Sequence, residues 1–352
     1  FATETVSDAE AGNRDREQKY ALQHGVSRDS PIRIQSVSFL DAGEGYGGDN
    51  EHEIRENADP SEWGDGPAIT DPVWMADGAD EGTELDKNQP ACYTRSAGVA
   101  GQPGYVPSRM RVSVTVRVDL EGGTFNLVGL EGGTECFRQN GLTATGNNQT
   151  VTMLALDGHD LPTTLEKLAK AFTWQVELQG TTPAGTLSLG PSTHTVYVVY
   201  AAPIRQVEGQ TNYPTPKRLD FSIVDATAAG QSDPRGACFR IARYVSDSVT
   251  GFGAGPMGED PRWLFWARPP GEHKALCNDR AALAASALGV VGIAGVVHQV
   301  YATCWEVPAA YPGWRGFTVN DYVSAYNEKS LEPGDSYYGR MKLTGTPPVP
   351  LN

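Results

Sequence analysis

The stretch Met110–Val118, with the sequence MRVSVTVRV, is the clearest β-strand pattern in this chain and indicates a β-rich fold. Valines occupy every second position from Val112 onward, and polar residues such as Ser113 and Thr115 stand between them. A period of two residues predicts a β-strand with one face in a core and the other toward solvent. The same alternation over 32–39 predicts an earlier strand of the same kind.

Glycine-rich turns separate further strand-like stretches. The phrase LEGGT occurs at 120–124 and again at 130–134, and this spacing is typical of consecutive β-hairpins in a meander. Residues 161–171 are predicted to form a short helix or a crossover. Further strands are predicted over 150–156, 172–178 and 194–200.

The chain is predicted to be a β-rich α+β protein with two folded parts. A polar arm over 1–30 precedes a β-sandwich over 31–203, which carries a long acidic insertion at 41–90. Helices over 234–245 and from Cys277 onward, followed by strands, predict an α+β domain over 204–345 and a tail over 346–352. The later strands are predicted near 296–305, 316–323 and 337–342.

The charge of the chain is concentrated in one segment. Of the net charge of −15, the stretch from Asp41 to Asp86 holds −14, because it has fifteen acidic residues and one basic residue. We call this stretch the acidic segment. No basic stripe is available to displace counterions from a phosphate backbone, so binding to a nucleic acid is not expected. No apolar run is long enough for a membrane span.

The acidic segment allows two interpretations. Its side chains among glycines predict a Ca²⁺ site, because calcium takes six to eight oxygen ligands from a flexible loop. The alternative is a solvated acidic loop without metal. The predicted calcium ligands are Asp41, Glu44, Asp49, Asn50 and Glu51.

The five cysteines do not have zinc-site spacing. An odd count suits two disulfides and one free thiol in an exported protein, and it equally suits five reduced, buried thiols. Glycine-, asparagine- and threonine-rich strands with few lysines favour a secreted or cell-surface location. The cysteines are Cys92, Cys136, Cys238, Cys277 and Cys304.

Cys277 begins a predicted helix that ends in a turn at Gly292. The positive end of a helix dipole lowers the pKa of a thiol and favours the thiolate that attacks acyl groups. The segment resembles the nucleophile helix of bacterial transglutaminase-like proteins, which belong to the papain-like superfamily. The matching residues are Cys277, Ala281, Leu283, Leu288, Gly292, Ile293 and Ala294.

This resemblance extends over about 204–345 and implies a Cys-His-Asp triad for acyl transfer or amide hydrolysis. The sequence departs from that pattern, because Thr303 and Asp321 stand where two alternative alignments place the histidine. The one histidine after Cys277 is His298, and the third member would be Asp335. A general base must reach its nucleophile, so the departures indicate a degenerate, inactive domain.

Three functions are consistent with the sequence. The first is a non-catalytic extracellular structural or adhesive protein, such as a subunit of a surface assembly, that associates with itself or with a cell-surface protein or glycan. The second is an active cysteine acyltransferase or hydrolase that uses Cys277, with His298 as base and Asp335 as third member. The third is a calcium-dependent binding module. None of the three requires a cofactor other than Ca²⁺ in the last.

Overall fold

The computed structural model describes residues 32–41, 51–56, 66–69, 71–76, 87–118, 122–179, 185–207, 210–248 and 277–294. The chain divides into two compact units, residues 1–295 and residues 296–352, and all described residues belong to the first. Two five-stranded sheets and a set of helices form that part of the chain. The predicted β-rich α+β class is confirmed.

The first sheet, which we call sheet 1, contains the strand predicted over Met110–Val118. It is built from β1 (Ile32–Leu40), β4 (Val73–Met75), β5 (Lys87–Asn88), β7 (Arg111–Val118) and β10 (Asn148–Leu154). The spatial order is β10-β7-β1-β4-β5, and all neighbours are antiparallel. The valines of β7 are buried and its polar residues are half-buried on the opposite face, as the alternation predicts.

The second sheet, sheet 2, packs against sheet 1. It is built from β6 (Ala91–Thr94), β8 (Thr124–Glu131), β9 (Thr134–Thr143), β11 (Glu166–Gln179) and β12 (Thr186–Val199). The order is β6-β12-β11-β8-β9, with β6 parallel to β12 and the other pairs antiparallel. The prediction of a helix within 161–171 is wrong from Glu166 onward, because ladder pairing with β12 holds these residues extended.

The two LEGGT phrases have different roles. Gly132 and Gly133 have φ of 58° and 85° and form the two-residue turn between β8 and β9. Positive φ at both central residues is the requirement of a tight hairpin. Gly122 lies between β7 and β8, which belong to different sheets. The predicted hairpin is therefore confirmed at 130–134. The phrase at 120–124 instead lies in the connection between β7 and β8, which belong to different sheets.

A continuous apolar core lies between the two sheets. Trp74 and Val114 of sheet 1 and Phe137 and Trp174 of sheet 2 are all buried in it. The Phe137 and Trp174 rings are stacked with centroids 5.8 Å apart. Gly129 on β8 makes room for the indole, since a Cβ there would lie 2.7 Å from a Trp174 ring carbon.

Helices follow β12 and the short β13 (Gln206–Val207) and β14 (Gln210–Thr211). α1 (Pro216–Asp220) begins at a cap in which the Thr215 hydroxyl accepts from the Arg218 N–H at 3.3 Å, and it continues into a π-helical turn (Phe221–Asp225). α2 (Pro234–Ser248) confirms the helix predicted over 234–245. α3 (Cys277–Gly289) confirms the helix predicted at Cys277.

The helices share a second core with sheet 2. Ile223, Ile241 and Leu283 from the helical region pack in one cluster with Tyr197 and Val199 of β12. The described residues thus give two cores, one between the sheets and one between sheet 2 and the helices. The predicted domain boundary at 203 and the transglutaminase-like identity of the later part stay predictions.

Short pairs of strands complete the described residues. Within the acidic segment, β2 (Ile54–Arg55) pairs with β3 (Ala68–Ile69). In the part of the chain that the structure describes, no helix is long and apolar enough to cross a membrane.

Candidate functional site

The predicted catalytic residues fall mainly outside the described residues. Cys277 is the first residue of α3, so its backbone occupies the predicted helix N-terminus. Its side chain, His298, Asp335 and Cys304 lie outside the described residues. The Cys-His-Asp triad therefore stays a prediction.

The described cysteines are unpaired thiols. They are Cys92, Cys136 and Cys238. Burial raises the pKa of Cys92 well above its ordinary value and raises that of Cys136 to about 12. The Cys136 thiol donates to the Gly129 carbonyl at 3.2 Å. Since the thiolate is the nucleophile, Cys92 and Cys136 are inert structural residues.

Two of the five predicted calcium ligands lie in the described residues. Burial, followed by the negative charges of Asp71 and Asp41, raises the pKa of Glu51 to about 8, so this carboxyl holds its proton at neutral pH. Glu44, Asp49 and Asn50 lie outside the described residues. Among the residues that the structure describes, no three His, Cys, Asp or Glu side chains form a group able to hold a metal. Calcium binding stays a prediction.

A serine and a histidine form a hydrogen-bonded pair in the sandwich core. The Ser192 Oγ and the His194 Nε2 are 2.7 Å apart, and the indole Nε1 of Trp174 donates to the same Oγ at 2.8 Å. Ser192 is 1% exposed and His194 is 3% exposed. A nucleophile and base without access for a substrate cannot catalyse a reaction, so this pair is structural.

The His194 ring is enclosed by aromatic side chains. The rings of Phe39, Phe172 and Trp74 have centroids 5.0, 5.3 and 5.9 Å from that of the imidazole. Burial lowers the pKa of His194 to about 3. Within the described residues its buried Nδ1 has no hydrogen-bond partner. The imidazole is therefore neutral at physiological pH, and protonation would place an unpaired charge in the core.

The outward face of sheet 1 is basic. The described strands of this sheet contain no aspartate or glutamate, whereas β1 and β7 carry Arg33, Arg111 and Arg117. We call the face that bears these arginines the basic face. Arg33 lies directly opposite Arg117 in the register of the two strands. Side chains at such positions start about 5 Å apart, and like charges there repel each other.

The described hydrogen bond of Arg111 is to a backbone carbonyl. The Arg111 guanidinium donates to the backbone carbonyl of Asp41 at 3.3 Å. The Nε of Arg33 is buried and has no hydrogen-bond partner among the described residues. Serine and threonine separate the arginines, and Thr115 is hydrogen-bonded to Thr150 of β10 at 3.1 Å. The basic face therefore combines half-buried arginines with small polar residues.

Sheet 2 differs, because Lys170 and Arg138 are matched by carboxylates of the same sheet, and Lys167 lies 2.8 Å from Asp220 of α1. The Lys170 Nζ lies 2.8 Å from a Glu131 oxygen. The Arg138 guanidinium lies 2.6 Å from Glu135 and 2.8 Å from Glu177. The sequence predicts the alternation that turns Arg111 and Arg117 outward, but not the register that places Arg33 beside Arg117. The sequence signal that could have located the basic face is the absence of aspartate and glutamate from 32–40 and 111–118.

Comparisons with known proteins do not identify the chain. No family model matches it, and no curated protein matches it. The resemblance to transglutaminase-like proteins thus depends on sequence motifs within about 204–345 and stays a prediction.

Proposed function

We propose that this chain is a non-catalytic structural or adhesive protein that binds an acidic partner on the basic face of sheet 1. The secreted or cell-surface location, the role in a surface assembly and the inactive transglutaminase-like domain predicted from the sequence are parts of the same proposal. The observation that carries it is the segregation of charge between the two sheets. On sheet 2, Lys170 and Arg138 lie against carboxylates of the same sheet, whereas the described strands of sheet 1 contain no aspartate or glutamate.

The position of Arg33 beside Arg117 supports a binding role. Guanidinium groups at facing positions of neighbouring strands repel each other, and the described strands of sheet 1 contain no aspartate or glutamate. A carboxylate between them would gain charge-assisted and bidentate hydrogen bonds. An acidic partner would therefore be attracted to this pair of arginines.

The chemistry of the described core supports a non-catalytic role. Burial holds the Cys92 and Cys136 thiols in the protonated form, and Ser192 and His194 are enclosed between the sheets. These groups fill and order the two cores. In this proposal, the arginines of sheet 1 carry the binding function.

A short peptide of alternating glutamate and glycine tests the proposal, with a glutamine-for-glutamate peptide as its matched control. Fluorescence anisotropy at about 50 mM salt should show binding of the acidic peptide alone, and binding should be lost at about 1 M salt, where the Debye length falls to about 3 Å. Arg33→Gln combined with Arg117→Gln should weaken binding about tenfold or more. Equal binding of both peptides, or no binding at low salt, would refute the proposal.

A further inference from the structure

We infer that the edge strand β10 (Asn148–Leu154) pairs with β10 of a second copy of this chain, so that sheet 1 continues from one protomer into the other. This inference goes beyond the proposed function, because it concerns the edge of sheet 1 and does not depend on the basic face. The observation behind it is an open and uncharged strand edge. A strand edge with unpaired backbone groups is a template for pairing with another chain.

The backbone groups that β10 presents outward belong to its even-numbered residues. On its inner side β10 pairs with β7, and the Ala155 N–H donates to the Met110 carbonyl at 2.9 Å, which fixes the hydrogen-bonding phase of the two strands. Since the pairing alternates along the ladder, the Val151 N–H faces β7, whereas those of Thr150 and Thr152 face away from it. In the part of the chain that the structure describes, no strand lies on that outer side of β10.

The other described sheet edges are short, covered or charged. The edge strand β5 has two residues. Residues 51–52 pair with β6 and cover its edge, with the His52 N–H donating to the Cys92 carbonyl at 2.7 Å. The edge strand β9 carries Glu135 and Arg138, and two register shifts interrupt its ladder with β8. Short, covered, charged or irregular edges prevent pairing between sheets, so β10 differs from these three strands in being open to a partner.

The side chains of β10 suit pairing with an identical strand. The sequence NQTVTML has seven residues and contains no charged residue, no proline and no glycine. Threonine and valine are favoured in strands, and Thr150 and Thr152 are exposed. A second copy presents the same open edge and meets no like charge on β10. The edge is therefore complementary to itself, as a two-fold contact requires.

A two-fold axis at Val151 defines the pairing of the two strands. Around this axis Thr150 lies opposite Thr152 of the partner subunit, and Asn148 lies opposite the partner's Leu154. Every outward backbone group of β10 then has a hydrogen-bonding partner in the antiparallel ladder. Opposed threonines are a favourable cross-strand pair. The contact uses the same edge of both copies, so the assembly closes as a dimer.

Sedimentation of the full chain and of charge variants tests the inference. Thr150→Lys with Thr152→Lys should raise the dimer dissociation constant about tenfold or more, because each lysine faces a lysine of the other copy. Thr150→Glu with Thr152→Glu should have the same effect, and an equimolar mixture of the two double variants should restore the dimer. Thr173→Lys is the matched control and should leave the dimer unchanged, because this exposed threonine lies on β11, between β8 and β12.

Amide hydrogen exchange of the wild type gives a readout for single residues. Raising the protein concentration should slow exchange at the Thr150 and Thr152 N–H groups. Exchange at the Val151 N–H should change little, because this group already faces β7. Association through another surface would not produce this alternation. Exchange is measured on the wild type, so it tests the inference even where a variant fails to fold.

The outcomes separate this inference from the proposed function. A wild-type chain that stays monomeric up to about 0.1 mM contradicts the inference, and so does a dimer that persists in the double lysine variant. Equal exchange at the three amides in dilute and concentrated protein contradicts it as well. The dimer should persist at about 1 M salt, where binding of the glutamate peptide should be lost, so either proposal can fail without the other.

Discussion

Acidification should destabilise this protein through His194, and the loss can be calculated. Burial lowers the pKa of this imidazole from its ordinary value of 6.5 to about 3. The unfolded chain therefore binds a proton at a pH where the folded chain does not. Stability contributed by the neutral ring is present above pH 6.5 and is lost as the pH falls toward 3.

The magnitude follows from the two pKa values of His194. Each pH unit within this window costs about 1.4 kcal/mol, so lowering the pH from 7 to 4.5 should remove about 2.6 kcal/mol of unfolding free energy. His52 adds a loss in the same direction, because burial lowers its pKa to about 4. Glu51 acts in the opposite direction, since its raised pKa gives stability at low pH that is lost as the pH rises through about 8.

A comparison of variants isolates the contribution of His194. Urea unfolding of the wild type and of His194→Gln should be measured at pH 7, 5.5 and 4.5. The difference in unfolding free energy between them should change by about 2.6 kcal/mol across this range in favour of the variant. His159→Gln, in a turn outside the core, is the control. An identical pH dependence in wild type and His194→Gln would refute the reasoning.

Two substitutions and one labelling experiment test the packing of the two cores. Gly129→Ala should lower the unfolding free energy by about 1–3 kcal/mol, measured by urea unfolding, because its Cβ would meet the Trp174 ring at 2.7 Å. Gly292→Ala should cost about 2 kcal/mol or more in the same assay, because φ is +76° and the Cβ would lie against the Ala201 backbone; an unchanged urea midpoint in either variant would contradict these contacts. A thiol reagent at pH 8 should label Cys136 only after unfolding, as checked by mass spectrometry of its peptide, since burial raises its pKa to about 12.

The local sequence pattern predicted those strands in which apolar and polar residues alternate along the chain. The period of two over β1 and β7, and the glycine pair at 132–133, each match the structure. The first half of β11 was missed. Leu168 stands among the charged residues Glu166, Lys167 and Lys170, so this half has no clean strand pattern, and pairing with β12 along the whole length imposes the extended form. Pairing between distant strands is not visible in a local window.

The candidate site was predicted only in part, for a related reason. The alternation places Arg117 on the outward face of its strand, and charge counting located the acidic segment. Arg33 could not be assigned beside Arg117 without the register, which a bulge between Ile34 and Ser36 shifts by one residue. The enclosure of His194 likewise depends on side chains from both sheets, including Phe39 and Trp74.

The second core has a consequence for any attempt to shorten this protein. Tyr197 and Val199 of β12 are buried by helical residues that come after Pro203, and the Tyr200 N–H donates to the Val291 carbonyl at 3.0 Å. A fragment that ends at Pro203 would expose the apolar side of sheet 2 that the helices cover. Such a fragment should precipitate or bind hydrophobic dyes. The smallest autonomous piece is expected to extend at least through Gly292, so limited proteolysis should spare β12, α1, α2 and α3.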